Sequence, residues 1–140
     1  MRSVQDVMTR NPTTCQPAAP VVEAAQLMER EGVGSIPVCE NGQLAGIVTD
    51  RDIALRVVAS GRDPKSTAIR DVMTRDPKCV NAEEPIDRAL EIMEASQVRR
   101  VPVIDGTGRL VGIIAQADIA TRLGDDHATS DVVEAISKPE

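Results

Sequence analysis

The chain has no phenylalanine, tyrosine or tryptophan. Its core must therefore be aliphatic, with five methionines available to fill irregular gaps. The same absence removes the rings on which single-stranded nucleic acid stacks. Positive charge is also short: 16 Lys and Arg stand against 22 Asp and Glu, a formal net charge of −6. A field of that sign opposes a phosphate backbone. Nucleic acid is excluded as the expected partner, while a local basic cluster can still take one small anion.

Further absences narrow the class. No run approaches the roughly 18 apolar residues of a membrane span, and the opening Met1-Arg2-Ser3-Val4-Gln5-Asp6 lacks the apolar core of a secretory signal. A cytoplasmic protein away from membranes is expected. The three cysteines, Cys15, Cys39 and Cys79, form no CxxC pair and read as reduced thiols. Buried small hydrophobes are their leading reading, and a redox or metal role is the alternative. His127 is the only histidine and has no partner at metal-ligand spacing, so no metal is expected. The GxGxxG and GxxxxGK[ST] phosphate loops are missing, and no nucleophile–base pair is evident. An enzyme is not expected, and no cofactor is implied.

What the chain does have is aliphatic bulk and internal repetition. Hydrophobic residues make up 41% of 140, enough for a packed core. Asp6-Val7-Met8-Thr9-Arg10 recurs as Asp71-Val72-Met73-Thr74-Arg75, a shift of 65 positions that also takes Pro20 to Pro85, Met28 to Met93 and Pro37 to Pro102. One inserted residue makes the later shift 66, taking Gly46-Ile47-Val48 to Gly112-Ile113-Ile114 and Asp52-Ile53-Ala54 to Asp118-Ile119-Ala120. A period this long exceeds the usual solenoid repeats, so each unit is a small folding module.

The units read alike. A short helix lies near Asp6-Val7-Met8, and an extended piece follows at Thr13-Thr14-Cys15. A helix starts at Pro20 and ends at Gly32, with Val21, Ala24, Ala25 and Met28 on one face; Ile86, Ala89, Leu90 and Met93 match them. Two strands follow, Ile36 to Cys39 and Leu44 to Val48, joined by the hairpin signal Asn41-Gly42. A last helix is expected from about Asp50 to Ala59. The expected domains are 3–60 and 68–123, with a linker at 61–67 and a tail at 124–140 in which Ser130 to Ser137 makes a short helix.

The order helix–strand–strand–helix, the phrase Asp-Val-Met-Thr, the Pro-Val strand and Gly-Ile-Val-Thr-Asp-Arg-Asp-Ile together resemble the CBS (cystathionine beta-synthase) domain, twice, over residues 3 to about 123. The resemblance is to stand-alone bacterial tandem-CBS proteins of the hypoxic-response type. It implies an α/β (α+β) fold of two CBS domains, each a small sheet with flanking helices, packed as a pseudo-two-fold pair. It also implies clefts that hold AMP, ADP, ATP or S-adenosylmethionine, each built from the strand-to-helix phrase of one repeat and the first strand and pre-proline residues of the other.

On that resemblance the first site takes Thr49 and Asp52, faced by Lys78, Cys79, Val80, Arg99, Arg100, Val101 and Pro102. An ionised Asp accepts two hydrogen bonds, matching the vicinal hydroxyls of ribose, and guanidinium groups fork onto phosphate. With no aromatic ring available, the base must lie between aliphatic side chains. The second site takes Asp118 with Thr13, Thr14, Cys15, Gly34, Ser35, Ile36 and Pro37, but Ala115 replaces the threonine and the facing residues carry no cation. A weaker site is expected there.

The same residues have plainer readings. Thr49 and Asp52 have the spacing of a helix N-cap and its N3 carboxylate, a role compatible with ribose binding. Arg99-Arg100 fits a solvated surface pair, although adjacent like charges before a strand also suit an anion. The leading function is therefore a ligand-binding regulatory module. The alternative is a dimerisation scaffold that acts through an unidentified protein partner. A homodimer is expected on either reading, with Val57, Val58, Ile86 and Ile92 as surplus apolar surface.

Overall fold

The structure, a computed structural model, describes residues 2–123. In chain order its elements are β1 (Thr9–Arg10), α1 (Val21–Glu31), β2 (Ser35–Glu40), β3 (Gln43–Thr49), α2 (Asp50–Ile53), β4 (Thr74–Arg75), β5 (Val80–Asn81), α3 (Ile86–Ser96), β6 (Arg100–Ile104), β7 (Leu110–Ala115) and α4 (Gln116–Leu123). Single turns of 3-10 helix at Val4–Asp6 and Ile69–Asp71 precede β1 and β4.

The compact units differ from the repeats. Thr13–Pro77 forms one unit; residues through Pro12 join those from Lys78 onward in the other. The boundaries expected from the repeat, 3–60 and 68–123, follow the sequence and not the packing. The difference lies in the Asp-Val-Met-Thr-Arg segments. β4, from the second repeat, pairs with β3 (Gly46↔Arg75, Ile47↔Thr74), and β1, from the first, pairs with β7 (Thr9↔Ile113, Arg10↔Gly112). Glycine makes room for this in both units. A Cβ on Gly46 would lie 2.7 Å from the Thr74 carbonyl oxygen, and one on Gly112 would lie 2.6 Å from Met8 Sδ.

In the Thr13–Pro77 unit the sheet order is β2-β3-β4. Asn41 and Gly42 have φ of 53° and 82°, the double left-handed signature of a type I′ hairpin turn. Pro37 sits inside β2, where its missing donor costs nothing: its carbonyl and the Cys39 N–H both point to the outer edge, bonding the Cys15 backbone. Helix α1 follows Pro20, which has no side-chain cap; the expected linker supplies the partners. Val21 N–H donates to the Thr67 carbonyl at 2.8 Å and Val22 N–H to the Pro64 carbonyl at 3.0 Å. Residues 61–67 thus belong to this unit. The helix stops at Gly32, whose φ of 68° suits a residue without Cβ. Val21, Ala24 and Met28 are buried as expected, and Ala25 is half-buried. They meet Ile36, Val38, Val48, Val57, Ile69 and Val72 in an aliphatic core, where each fully buried Val or Ile contributes roughly 1.5–3 kcal/mol.

In the other unit the order is β1-β7-β6-β5, with β5 parallel to β6. The core holds Val4, Val7 and Met8 from the chain start with Ile86, Leu90, Met93, Val101, Ile114 and Ile119. Here α3 ends on Gln97, at φ 53° without glycine.

Two expectations need correction, and a third lies outside what the structure describes. The helix expected from Asp50 to Ala59 is one α-helical turn, α2, followed by a wider π-helical stretch at Ala54–Val58. Of the four residues proposed as surplus apolar surface, Val57, Ile86 and Ile92 are buried in their own units, because they fill the cores beneath the sheets; Val58 remains 72% exposed, beside Leu55 at 51%. The tail, with His127 and the helix expected at Ser130 to Ser137, lies outside the described residues.

Candidate functional site

Helix α2 begins where β3 ends, and that junction holds the residues chosen for ribose contact. Thr49 is extended, with φ −115° and ψ 162°, as an N-cap requires. Its hydroxyl accepts from the Asp52 N–H at 3.0 Å, and Asp52 Oδ2 accepts from the Thr49 N–H at 3.0 Å. This is the reciprocal capping box read from the spacing, with Asp in place of the longer Glu. It fixes the Asp52 carboxylate at the end of β3.

Two further residues hold that carboxylate, and neither was singled out in the sequence. The Thr74 hydroxyl donates to both Asp52 oxygens at 3.3 Å. Arg56 Nε approaches Asp52 Oδ1 at 4.0 Å, while its Nη1 donates to the carbonyls of Val72 and Met73 at 3.1 and 3.2 Å. Asp52 is 8% exposed. A buried carboxylate needs such partners, since an unpaired one is strongly disfavoured. The signal for Thr74 is present, because Asp-Val-Met-Thr-Arg is the clearest repeated phrase, but a repeated phrase by itself names no partner for its threonine.

The other unit repeats this arrangement with a gap. Asp118 Oδ2 accepts from the Ala115 N–H at 3.2 Å, and the Thr9 hydroxyl lies 3.4 and 3.5 Å from its two oxygens. Ala115 has no hydroxyl to return, so half of the box is missing, as its sequence implied. Asp118 is also less buried than Asp52.

Thr49, Asp52, Thr13, Thr14, Cys15, Ser35, Ile36 and Pro37 lie in the Thr13–Pro77 unit; Lys78, Cys79, Val80, Arg99, Arg100, Val101, Pro102 and Asp118 lie in the other. Within the first unit Ser35 pairs with Thr49, and Cys15 bridges Val38. Within the second, Arg100 pairs with Ala115, Val80 with Val103, and the Gln116 N–H donates to the Arg99 carbonyl at 2.9 Å. The matching bond in the first unit runs from Asp50 N–H to the Gly34 carbonyl, where a Cβ on Gly34 would lie 3.0 Å from Asp50 Oδ2. Arginine in one repeat and glycine in the other thus occupy equivalent places. A cavity of about 180 Å³ opens near Gln5, Arg10, Glu83 and Asp105, and none of the residues chosen for either site lines it.

Residues 4–59 and 69–125 each match the CBS domain. This chain belongs to the CBS domain family. Its two CBS domains form a mixed α/β fold of small sheets and helices. The CBS domain-containing protein YhcV of Bacillus subtilis is 39% identical over 98% of this chain and 96% of its own. Hypoxic response protein 1 of Mycobacterium tuberculosis is 37% identical over 99% of this chain and 96% of its own. A solved Hypoxic Response Protein I with two coordinated zinc ions has a TM-score of 0.78 and 36% identity, covering 86% of this chain and 98% of that one. CBSX2 in complex with AMP reaches 0.75 at 26% identity, over 88% and 96% of the two chains. The CBS pair of MJ0100 with 5-methylthioadenosine and S-adenosyl-L-methionine reaches 0.75 at 29%, over 89% and 97%. Among the described residues of this CBS pair, no three His, Cys, Asp or Glu side chains cluster as metal ligands would. No helix among them is long and apolar enough to cross a membrane.

Proposed function

We propose that this CBS pair is a non-catalytic regulatory module that binds an adenosyl ligand through Asp52. The observation that carries the reading is the fixed Asp52 carboxylate: the capping box sets its position, and its two oxygens match the acceptor needs of a ribose diol. Thr49 supports it, and Lys78, Cys79, Val80, Arg99, Arg100, Val101 and Pro102 are the partners the family resemblance implies, with the arginines on phosphate. Solved relatives in complex with AMP and with S-adenosyl-L-methionine support the ligand class. Asp118, lacking the threonine at Ala115, is the acceptor of a weaker second site with Thr13, Thr14, Cys15, Ser35, Ile36 and Pro37. The protein works as a cytoplasmic homodimer, with Leu55 and Val58 as its exposed apolar contribution; light scattering that returns a monomer overturns the dimer.

One observation favours the scaffold alternative. The Asp52 carboxylate is buried and already engaged by Thr49, Thr74 and Arg56, so a ribose must displace or share those partners. A thermal-shift screen with AMP, ADP, ATP, S-adenosylmethionine and NAD separates the two. Ligand at about a hundred times its dissociation constant adds roughly 2.7 kcal/mol, a melting shift of roughly 5–10 °C. No shift with any compound at millimolar concentration leaves the scaffold.

A further inference from the structure

The cavity of about 180 Å³ lies wholly within the unit built on β1-β7-β6-β5. It opens at the hairpin end of that sheet, where Asp105 and Gly106 turn β6 into β7. Arg100 and Ala115 pair at the opposite end, roughly 15 Å away along β6. Backbone bonds fix the walls: the Gln5 N–H donates to the Ala82 carbonyl at 3.0 Å, and the Ala82 N–H to the Ile104 carbonyl at 2.9 Å. Met8, Ala82 and Val111 give the cavity apolar lining, while Arg10, Glu83 and Asp105 give it charge of both signs. Those charges do not close on one another. Among the described residues, no ion pair or hydrogen bond engages the Arg10 guanidinium or the Glu83 carboxylate. Asp105 Oδ1 accepts the Thr107 N–H, the Thr107 hydroxyl and the Arg109 N–H at 2.7–3.1 Å, which leaves its other oxygen outside that turn.

We propose that this cavity binds a free α-amino acid with an aliphatic side chain. Such a ligand carries a carboxylate and an ammonium on one carbon, so one small molecule meets both signs of charge. The Arg10 guanidinium takes the carboxylate, for which its planar fork is suited. The Glu83 carboxylate and the open Asp105 oxygen take the ammonium. The aliphatic side chain lies on Met8, Ala82 and Val111. A simple carboxylate would meet repulsion from two acids, and a simple amine would meet it from Arg10. Size agrees: a cavity of about 150 Å³ holds a molecule like benzene. This one admits a few atoms more, and falls short of the roughly 300–1,000 Å³ of pockets for larger ligands. The other unit lacks the same charges. Equivalent places there hold Arg70 for Gln5 and Ala18 for Glu83, and Arg75, in the place of Arg10, donates from Nη2 to the Arg70 carbonyl at 3.5 Å. One of the two acids for an ammonium is missing there.

Calorimetric titration of the full chain with L-leucine tests this, beside two half-ligands: isocaproate, which lacks the ammonium, and isoamylamine, which lacks the carboxylate. L-Leucine is expected to bind at millimolar concentration or below, and each half-ligand at least about tenfold more weakly. Arg10→Gln and Glu83→Gln, each with native circular dichroism, are expected to weaken L-leucine by about tenfold or more. The half-ligands use the parent protein, so the comparison stands even where a variant does not fold. No heat with L-leucine at millimolar concentration overturns the proposal. So does a half-ligand that binds as well as L-leucine, which would make the site one for a simple anion or a simple amine. L-Leucine bound equally by the parent and by either folded variant overturns it too, because the ligand then lies elsewhere.

Discussion

The Thr74 hydroxyl donates to both carboxylate oxygens of Asp52 at 3.3 Å, although the two residues come from different repeats. Thr9 and Asp118 stand in the same relation at 3.4–3.5 Å. Each acidic residue proposed for ribose contact is thus tied to a threonine of the other repeat's opening segment. The tighter ties and deeper burial at Asp52 make it the more consequential of the pair.

Asp52→Ala removes the N3 half of a capping box and the acceptor for Thr74. It is expected to cost about 1–2 kcal/mol in urea unfolding, and to weaken AMP at least tenfold, about 1.4 kcal/mol, in calorimetric titration. Asp118→Ala should do less on both counts, because its box lacks the threonine hydroxyl. If Asp52→Ala lowers stability but binds AMP like the parent, the cap role stands and the ribose role falls. If Asp118→Ala is the more damaging change, the ranking of the two sites is reversed.

The arginines are expected to discriminate by charge. Arg99→Ala combined with Arg100→Ala should weaken AMP and ATP more than uncharged adenosine, since only phosphate uses those cations. Equal loss for all three ligands removes the phosphate assignment.

Gly46→Ala and Gly112→Ala test the docking of the opening segments. The new methyl group would fall 2.7 Å from the Thr74 carbonyl oxygen in one case and 2.8 Å from the Thr9 carbonyl oxygen in the other. Backbone cannot yield as a side-chain end does, so each is expected to cost roughly 1–3 kcal/mol in chemical denaturation. Gly106→Ala meets open space and should leave stability within about 0.5 kcal/mol.

The two long helices end differently, and exchanging their ends has a predictable sign. Gln97 holds φ 53° where Gly32 holds 68°. Gln97→Gly should stabilise by about 0.5–1 kcal/mol, and Gly32→Ala should destabilise by about 1 kcal/mol, both read from denaturant midpoints. A destabilised Gln97→Gly would mean that its side-chain bond to the Glu94 carbonyl outweighs the backbone strain.

Burial, reinforced by the Glu23 carboxylate and then the Cys39 thiol, pushes the Cys15 thiol up to about 12. Burial raises the Cys39 and Cys79 thiols too. Iodoacetamide at pH 8 should therefore label the half-buried Cys39 and Cys79 before Cys15. The unfolded chain ionises near 9 while the folded Cys15 stays neutral, so the protonated thiol's contribution is complete below pH 9 and is lost as the pH rises from there toward 12. Replacing Cys15 with Ala should flatten that part of the stability–pH curve; an unchanged slope sinks the assignment.

Local signals carried much of this fold. Asn41-Gly42 named its turn, Pro20 and Gly32 bounded α1, and Thr49 with Asp52 gave the capping box, because each depends on neighbours a few positions away. The exchange of opening segments was not legible: Asp-Val-Met-Thr-Arg reads as a short helix, and the two-residue strands at Thr9–Arg10 and Thr74–Arg75 are too short for a pattern to mark them or the sheet that receives them. Thr74 was missed for that reason, since its partner Asp52 sits in the preceding repeat. Ile92 lies off the stripe of Ile86, Ala89, Leu90 and Met93, yet α3 buries it with them, a wider face than that stripe. The π-helical stretch at Ala54–Val58 carries no proline or glycine pair to announce it.

The pairing of β1 with β7 has a consequence for biosynthesis. Everything the Thr13–Pro77 sheet needs has been made once Arg75 has left the ribosome, so that unit can close while translation continues. The first dozen residues are older yet must wait. Val4, Val7 and Met8, fully or almost fully buried in the finished unit, have no sheet to enter until β7 emerges at Leu110–Ala115. Residues 4–10 are therefore covered late, and their pairing with β7 spans a very long sequence separation, the kind of contact that forms slowly. The apolar segment Val4–Met8, made well before its sheet, is where a nascent-chain chaperone would find this protein during synthesis.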